Sequence, residues 1–214
     1  SFDQLSRAIG GKNVERKVYI QENCKDLINE SFRILRTKLD YFISSINQGD
    51  SKVIMITSFN AGSGKSFISL NLAKVLALKG KRVLAIDMDL RHTSLSTIAK
   101  SPKIGITSYL GNQQDDYENL ICKNAIGENA DLLPVGIIPP NPTEVLLSER
   151  MQTLFNLLRP QYDYIILDCP PIDIVADTSI VKKYADISLF VVRAGLMDRR
   201  LLKDVEKLHN QNVY

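Results

Sequence analysis

The stretch Ile56-Thr-Ser-Phe-Asn-Ala-Gly-Ser-Gly-Lys-Ser-Phe67 decides how the rest of the chain is read. Its end, Gly64-Lys65-Ser66, is that of a phosphate-binding loop, whose usual pattern is G-x-x-x-x-G-K-[ST]. Its start is not, because Phe59 stands where the first glycine belongs. The chemistry survives that change. Gly62 and Gly64 allow positive φ and close backbone approach. The N–H groups of Ala61, Gly62, Ser63, Gly64, Lys65, Ser66 and Phe67 can then turn inward as an anion nest, reinforced by the N-terminus of a following helix. Lys65 offers a point charge to outer phosphates, and Ser66 a hydroxyl to Mg²⁺. A glycine turn that merely joins a strand to a helix would match the same letters. The surroundings favour the phosphate reading. The apolar run Val53–Ile56 precedes the loop, and Ile68, Leu72, Val75 and Leu76 share one face of a helix expected from Lys65 to Lys79-Gly80.

Two further strand ends carry acid. Val83–Ile86 runs directly into Asp87-Met88-Asp89, and extended backbone places the two carboxylates on one side. Tyr164–Leu167 runs into Asp168, the pattern of a Walker B strand. Each alone is also what an acidic turn or helix cap looks like. Together with the loop they form three polar strand ends, and ligands of parallel sheets bind at such ends. Further strands are expected at Asp131–Val135 and Ile187–Val192. Helices are expected near 115–122, over 143–158 and over 198–210, with an irregular turn at Ile137–Pro142. An earlier helix carries an apolar stripe of Ile28, Phe32, Leu35, Leu39, Phe42 and Ile46 and ends at Asn47–Asp50. Short apolar strands alternating with amphipathic helices predict an α/β fold of the P-loop NTPase type, a mainly parallel sheet with helices on both faces.

Composition narrows the function classes. A chain of 214 residues, 44% hydrophobic, is large enough for one core. A net charge of +3, with the signs mixed along the chain, gives no footprint for nucleic acid. Cys24, Cys122 and Cys169 are too scattered for a disulfide framework or zinc site. His92 and His209 form no ligand pattern. No run approaches the ~18 apolar residues of a membrane span.

The loop lacks the signature lysine of the ParA/MinD-type ATPases, whose K-G-G-x-G-K-[ST] would put lysine at Asn60. The chain resembles instead the bacterial tyrosine kinases (BY-kinases) of the polysaccharide co-polymerase type. Thr57-Ser58 followed by Gly62–Ser66 is similar to their Walker A stretch, with Ala61 and Ser63 as departures. Leu84–Arg91 matches their D-x-D-x-R motif, and Ile165–Pro171 their Walker B with D-x-P-P. Gly136–Leu146 matches G-x-x-P-P-N-P-x-E-L-L, and Glu30, Arg33 and Arg36 match E-x-x-R-x-x-R. Asp177 and Val191-Val192-Arg193 fall where the family has similar residues.

That resemblance implies an ATP- and Mg²⁺-dependent tyrosine autokinase that regulates capsular or exopolysaccharide synthesis and export. It gives Lys65 the phosphates, Ser66 and Asp89 the metal, Asp168 a metal-bound water, and Asp87 the tyrosine proton. It implies a homo-oligomeric ring through Glu30, Arg33 and Arg36. Pattern alone favours an exposed face with an i,i+3 ion pair for these three. It also implies a transmembrane chain-length regulator, fused upstream or separate, a cognate protein-tyrosine phosphatase, and a place at the cytoplasmic face of the inner membrane. Residues 1–22 read as a linker or arm and 23–214 as the kinase domain. In the family a last strand and a tyrosine-rich tail follow the point where this chain stops at Tyr214. The alternative function is a ParA/MinD-like ATPase switch that phosphorylates no protein.

Overall fold

The structure, a computed structural model, describes residues 18–45, 51–99, 103–172, 175–196, 198 and 200. Most of the expected linker, the helix end at 46–50, most of the last helix, His209 and Tyr214 lie outside them. In chain order the elements are α1 (Leu27–Ser45), β1 (Lys52–Ser58), α2 (Lys65–Ala77), β2 (Val83–Asp87), α3 (Ile106–Leu110), a 3₁₀ turn (Glu118–Leu120), β3 (Cys122–Gly127), β4 (Ala130–Leu133), α4 (Pro142–Leu146), α5 (Arg150–Leu158), β5 (Tyr164–Asp168), α6 (Val175–Lys182) and β6 (Ile187–Val191).

The strands form one sheet in the order β3-β4-β2-β5-β1-β6, parallel except for β3, which runs antiparallel to β4. β1, β2 and β5 are buried along their whole length, so both faces need cover, and their apolar runs show no polar alternation. Strand geometry sends alternate residues to opposite faces. Val53, Met55, Leu84, Ile86, Ile165 and Leu167 pack with Met151, Leu154, Phe155 and Leu158 of α5. Ile54, Ile56, Ala85 and Ile166 pack with Leu70, Leu72, Ala73 and Leu76 of α2, and with Phe32 and Leu39 of α1. At ~1.5–3 kcal/mol per buried aliphatic side chain, these two layers dominate the stabilisation.

Several expectations need correction. On α1 the stripe runs through Ile28, Phe32, Leu35, Leu39 and Ile43, while Phe42 faces solvent. The single helix over 143–158 is two helices. The first ends at Leu146 and the second opens at Arg150, whose N–H donates to the Ser148 hydroxyl in the turn between them. The helix near 115–122 is only the 3₁₀ turn. β3 was not legible, since Cys122–Gly127 is a partly covered edge strand whose register shifts, with Asn124 at φ 54°.

Two contacts place the loop. Asn71 on α2 accepts the N–H groups of Tyr19 and Ile20 and donates to the carbonyl of Phe67, tying residues 19–20 to the first turn of that helix. Phe59 packs edge-on against Phe190 of β6, centroids 5.0 Å apart and planes at 67°. The missing glycine is thus a wedge between the loop and its neighbouring strand. Restoring the consensus with Phe59→Gly is expected to lower unfolding stability by about 3 kcal/mol, because a packed aromatic ring is lost and a flexible residue gained. Urea titration measures it, and an unchanged midpoint would refute the wedge.

Candidate active site

The loop between β1 and α2 takes its shape from its own residues. Gly62 and Gly64 sit at φ 73° and 97°, which side-chain-bearing residues adopt only with strain. The hydroxyls of Ser58 and Ser63 both donate to the carbonyl of Asn60, at 2.8 and 2.7 Å. Arg193, just past β6, donates to the carbonyl of Gly62 at 3.0 Å. Lys65 opens α2 and is buried, and that burial lowers its pKa against the pull of Asp168 and Asp89.

Register then sets the acids side by side. In the parallel pairing of β2 with β5, Asp87 stands opposite Asp168, and Asp168 stands opposite Ile56 of β1. Neighbouring strands lie about 4.8 Å apart, so the two carboxyls are held close in a dry setting. Asp168 accepts the hydroxyl of Ser66 at 2.6 Å on Oδ2 and that of Ser69 at 2.9 Å on Oδ1. Asp87 is fully buried. Its Oδ2 accepts both the N–H and the hydroxyl of Ser96, each at 2.8 Å, and the Ser96 Oγ accepts the Val135 N–H at 2.9 Å. Burial, and then the neighbouring Asp168, raises Asp87 to about 7. Burial raises Asp168 to about 6, held back by Ser66, Ser69 and Lys65. Such values suit a group that takes and gives protons near neutrality.

Asp89 follows on the same side, while Met88 between them faces the core. Asp89 Oδ1 accepts the backbone N–H of His92 at 3.0 Å and lies 3.3 Å from its ring Nδ1. Arg91 bonds Asp177 at 3.1 Å, and Thr143 donates to the other oxygen of Asp177 at 2.6 Å. The D-x-D-x-R segment, the P-P-N-P segment and α6 are thereby clasped together. Among the described residues no group of three or more His, Cys, Asp or Glu forms a metal cage. What is present is Ser66 and two carboxylates beside a phosphate loop. That donor set fits Mg²⁺, which keeps several waters and takes few protein oxygens alongside substrate phosphates.

Comparison with known proteins gives the same family. The profile described as an AAA domain matches residues 51–210. The tyrosine-protein kinase YwqD of Bacillus subtilis (strain 168) is 36% identical over 190 residues, 88% of this chain and 78% of that protein. This chain belongs to the bacterial tyrosine-protein kinase family. The tyrosine-protein kinase wzc of Salmonella typhimurium is 35% identical over 184 residues, 86% of this chain but 25% of its own length. The chain thus spans about a quarter of that relative. The kinase domain of Escherichia coli tyrosine kinase ETK superposes with a TM-score of 0.76 at 32% identity, covering 85% of this chain and 70% of that one. The family settles the choice against the ATPase switch, as the lysine missing at Asn60 suggested. No described helix is long and apolar enough to cross a membrane.

The kinase-family domain gathers Lys65, Ser66, Asp87, Asp89 and Asp168 at the carboxyl edge of one sheet, as the sequence led us to expect. Glu30, Arg33 and Arg36 lie apart from them on α1. Glu30 pairs with Arg33, which also bonds the carbonyl of Glu22, and Arg36 turns inward to the carbonyl of Val75. Cys169 is an inert packed thiol, its pKa pushed well up by burial. Ser69 and Ser96 were missed, because a lone serine in a helix or a loop carries no signal until its acceptor is known.

The raised carboxyls have a consequence for stability. Each folded value lies above the unfolded value of 3.8. Their contribution is therefore complete below pH ~4 and lost as pH rises through about 6 for Asp168 and about 7 for Asp87. The limiting slope is about 1.4 kcal/mol per pH unit for each group. Asp87→Asn keeps an acceptor for Ser96 and is expected to flatten the upper part of that decline. Urea unfolding of both proteins from pH ~5 to ~8 measures it, and parallel curves would refute it.

Proposed function

We propose that this domain is an ATP- and Mg²⁺-dependent protein-tyrosine kinase that phosphorylates tyrosines on the C-terminal tails of neighbouring copies and so regulates capsular or exopolysaccharide synthesis and export. The observation that carries the reading is the pairing of Asp87 with Asp168 one strand from the phosphate loop, in a chain of this family.

Phosphoryl transfer asks a protein for position and charge more than for covalent chemistry. Lys65 and the amides of Ala61–Phe67 hold the β- and γ-phosphates. Ser66 and Asp89 would hold Mg²⁺, and Asp168 would sit behind them to orient its shell. The metal, when bound, neutralises charge that develops on the phosphates. Asp87 accepts the tyrosine hydroxyl proton, and its elevated pKa is matched to that task. Residues 23–214 act as the kinase domain and 1–22 as the arm that leads into it. Outside the domain, the partners are further copies in a ring built on Glu30, Arg33 and Arg36, a transmembrane chain-length regulator, and a protein-tyrosine phosphatase. The setting is the cytoplasmic face of the inner membrane.

Incubating the full-length protein with labelled ATP and Mg²⁺, followed by phosphotyrosine mapping, tests the activity. Phosphate on tail tyrosines is expected, with Lys65→Met lowering the rate at least about a hundredfold and Asp87→Asn about as much. ATP hydrolysis without phosphotyrosine would overturn the kinase reading. The ring has its own test, since Glu30→Ala with Arg33→Ala removes a charge pair at the proposed contact. Light scattering is expected to show a shift from oligomer to monomer with ATP affinity kept, and an unchanged mass would count against that interface.

A further inference from the structure

Ser69 sits one helical turn after Ser66 on α2 and has no exposed surface. The other buried residues of the helix include Leu70, Leu72, Ala73, Val75 and Leu76. A hydroxyl among aliphatic groups is costly unless it has a partner. Two acceptors are in reach, Asp168 Oδ1 at 2.9 Å and the carbonyl of Lys65 at 3.0 Å. Ser69 has one proton to give, and an ionised carboxylate is the stronger acceptor. Residues three apart share a helix face, so Ser66 and Ser69 meet Asp168 as a pair, one hydroxyl on each oxygen.

We infer that Ser69 is a positioning residue for the metal site. By holding Oδ1 it fixes the rotation of the Asp168 carboxylate and keeps Oδ2 directed at Ser66. The inference rests on the reading that Asp168 serves Mg²⁺. Ser66 can offer a lone pair to the metal while its hydroxyl goes on donating to Oδ2. With only that bond the carboxylate is free to swing, and with Ser69 it has two anchors on one rigid helix. Partners that orient a metal-site carboxylate in this way are worth about tenfold to a hundredfold in metal affinity.

The test is ATP binding by calorimetry with the full chain, once with excess Mg²⁺ and once with EDTA. Ser69→Ala removes the hydroxyl and adds no bulk. It is expected to weaken ATP binding about tenfold in Mg²⁺ and to leave binding in EDTA within about twofold. Asp168→Asn is expected to lose the Mg²⁺-dependent tightening, and the double variant to be no weaker than Asp168→Asn alone, because Ser69 acts through Asp168. If Ser69→Ala changes neither condition, or weakens both equally, while Asp168→Asn loses the Mg²⁺ effect, Ser69 is structural and the inference falls. If Asp168→Asn keeps the full Mg²⁺ effect, the reading of Asp168 falls first and takes the inference with it.

Discussion

The pairing of β2 with β5 is the constraint on which the site depends. One parallel register puts Asp87 against Asp168 and, through β1, both against the phosphate loop. Both carboxyls lose hydration, and Asp87 also feels Asp168 while Asp168 feels Asp89, which is why both hold their protons to unusually high pH. The fold meets this with hydroxyls and one cation: Ser66 and Ser69 on Asp168, Ser96 on Asp87, and Lys65 beside them. A hydrophobic pair at the same positions would pack at less cost. The sheet thus gives up stability at the one place where charge is useful.

The sequence announced the large features because each has a strong local signal. Val53–Ile56, Val83–Ile86 and Tyr164–Leu167 are continuous apolar runs ending in a polar turn, and only a strand buried on both faces needs such a run. Lys65, Ser66, Asp87, Asp89 and Asp168 were legible because they sit at the ends of those runs. What failed were elements whose structure comes from elsewhere. β3 is held by its pairing with β4 and not by its own pattern, and Asn124 at positive φ disguises it further. α3 and α6 are too short for a period to show. The break between α4 and α5 is a local turn at Leu147–Glu149 that no strong turn residue marks. Arg36 was expected to face outward, yet its long side chain bends back to α2, a choice of rotamer that spacing cannot encode.

Ser69 and Ser96 show the same limit at the site itself. Each lies tens of residues or a whole motif away from the acid it serves, or is hidden in a helix that reads as apolar. The value of Ser69 appears only when the placement of β5 against α2 is known, and that of Ser96 only when the path of the chain after β2 is known. Three-dimensional placement decides them, and residue type alone does not.

The edge-on contact of Phe59 with Phe190 has a consequence beyond packing. A loop stiffened by an internal glycine turn keeps its shape independently of its surroundings. Here the internal turn is also tied to its surroundings, by Phe59 on β6 and by Arg193, just beyond that strand, at the carbonyl of Gly62. Opening the loop therefore has to break contacts with that strand and the residue beyond it. β6 is the outermost strand on its side of the described sheet, with Ile187–Phe190 only partly covered. Whatever comes to lie along that edge will slow the breathing of the phosphate loop, and whatever strips it will quicken it.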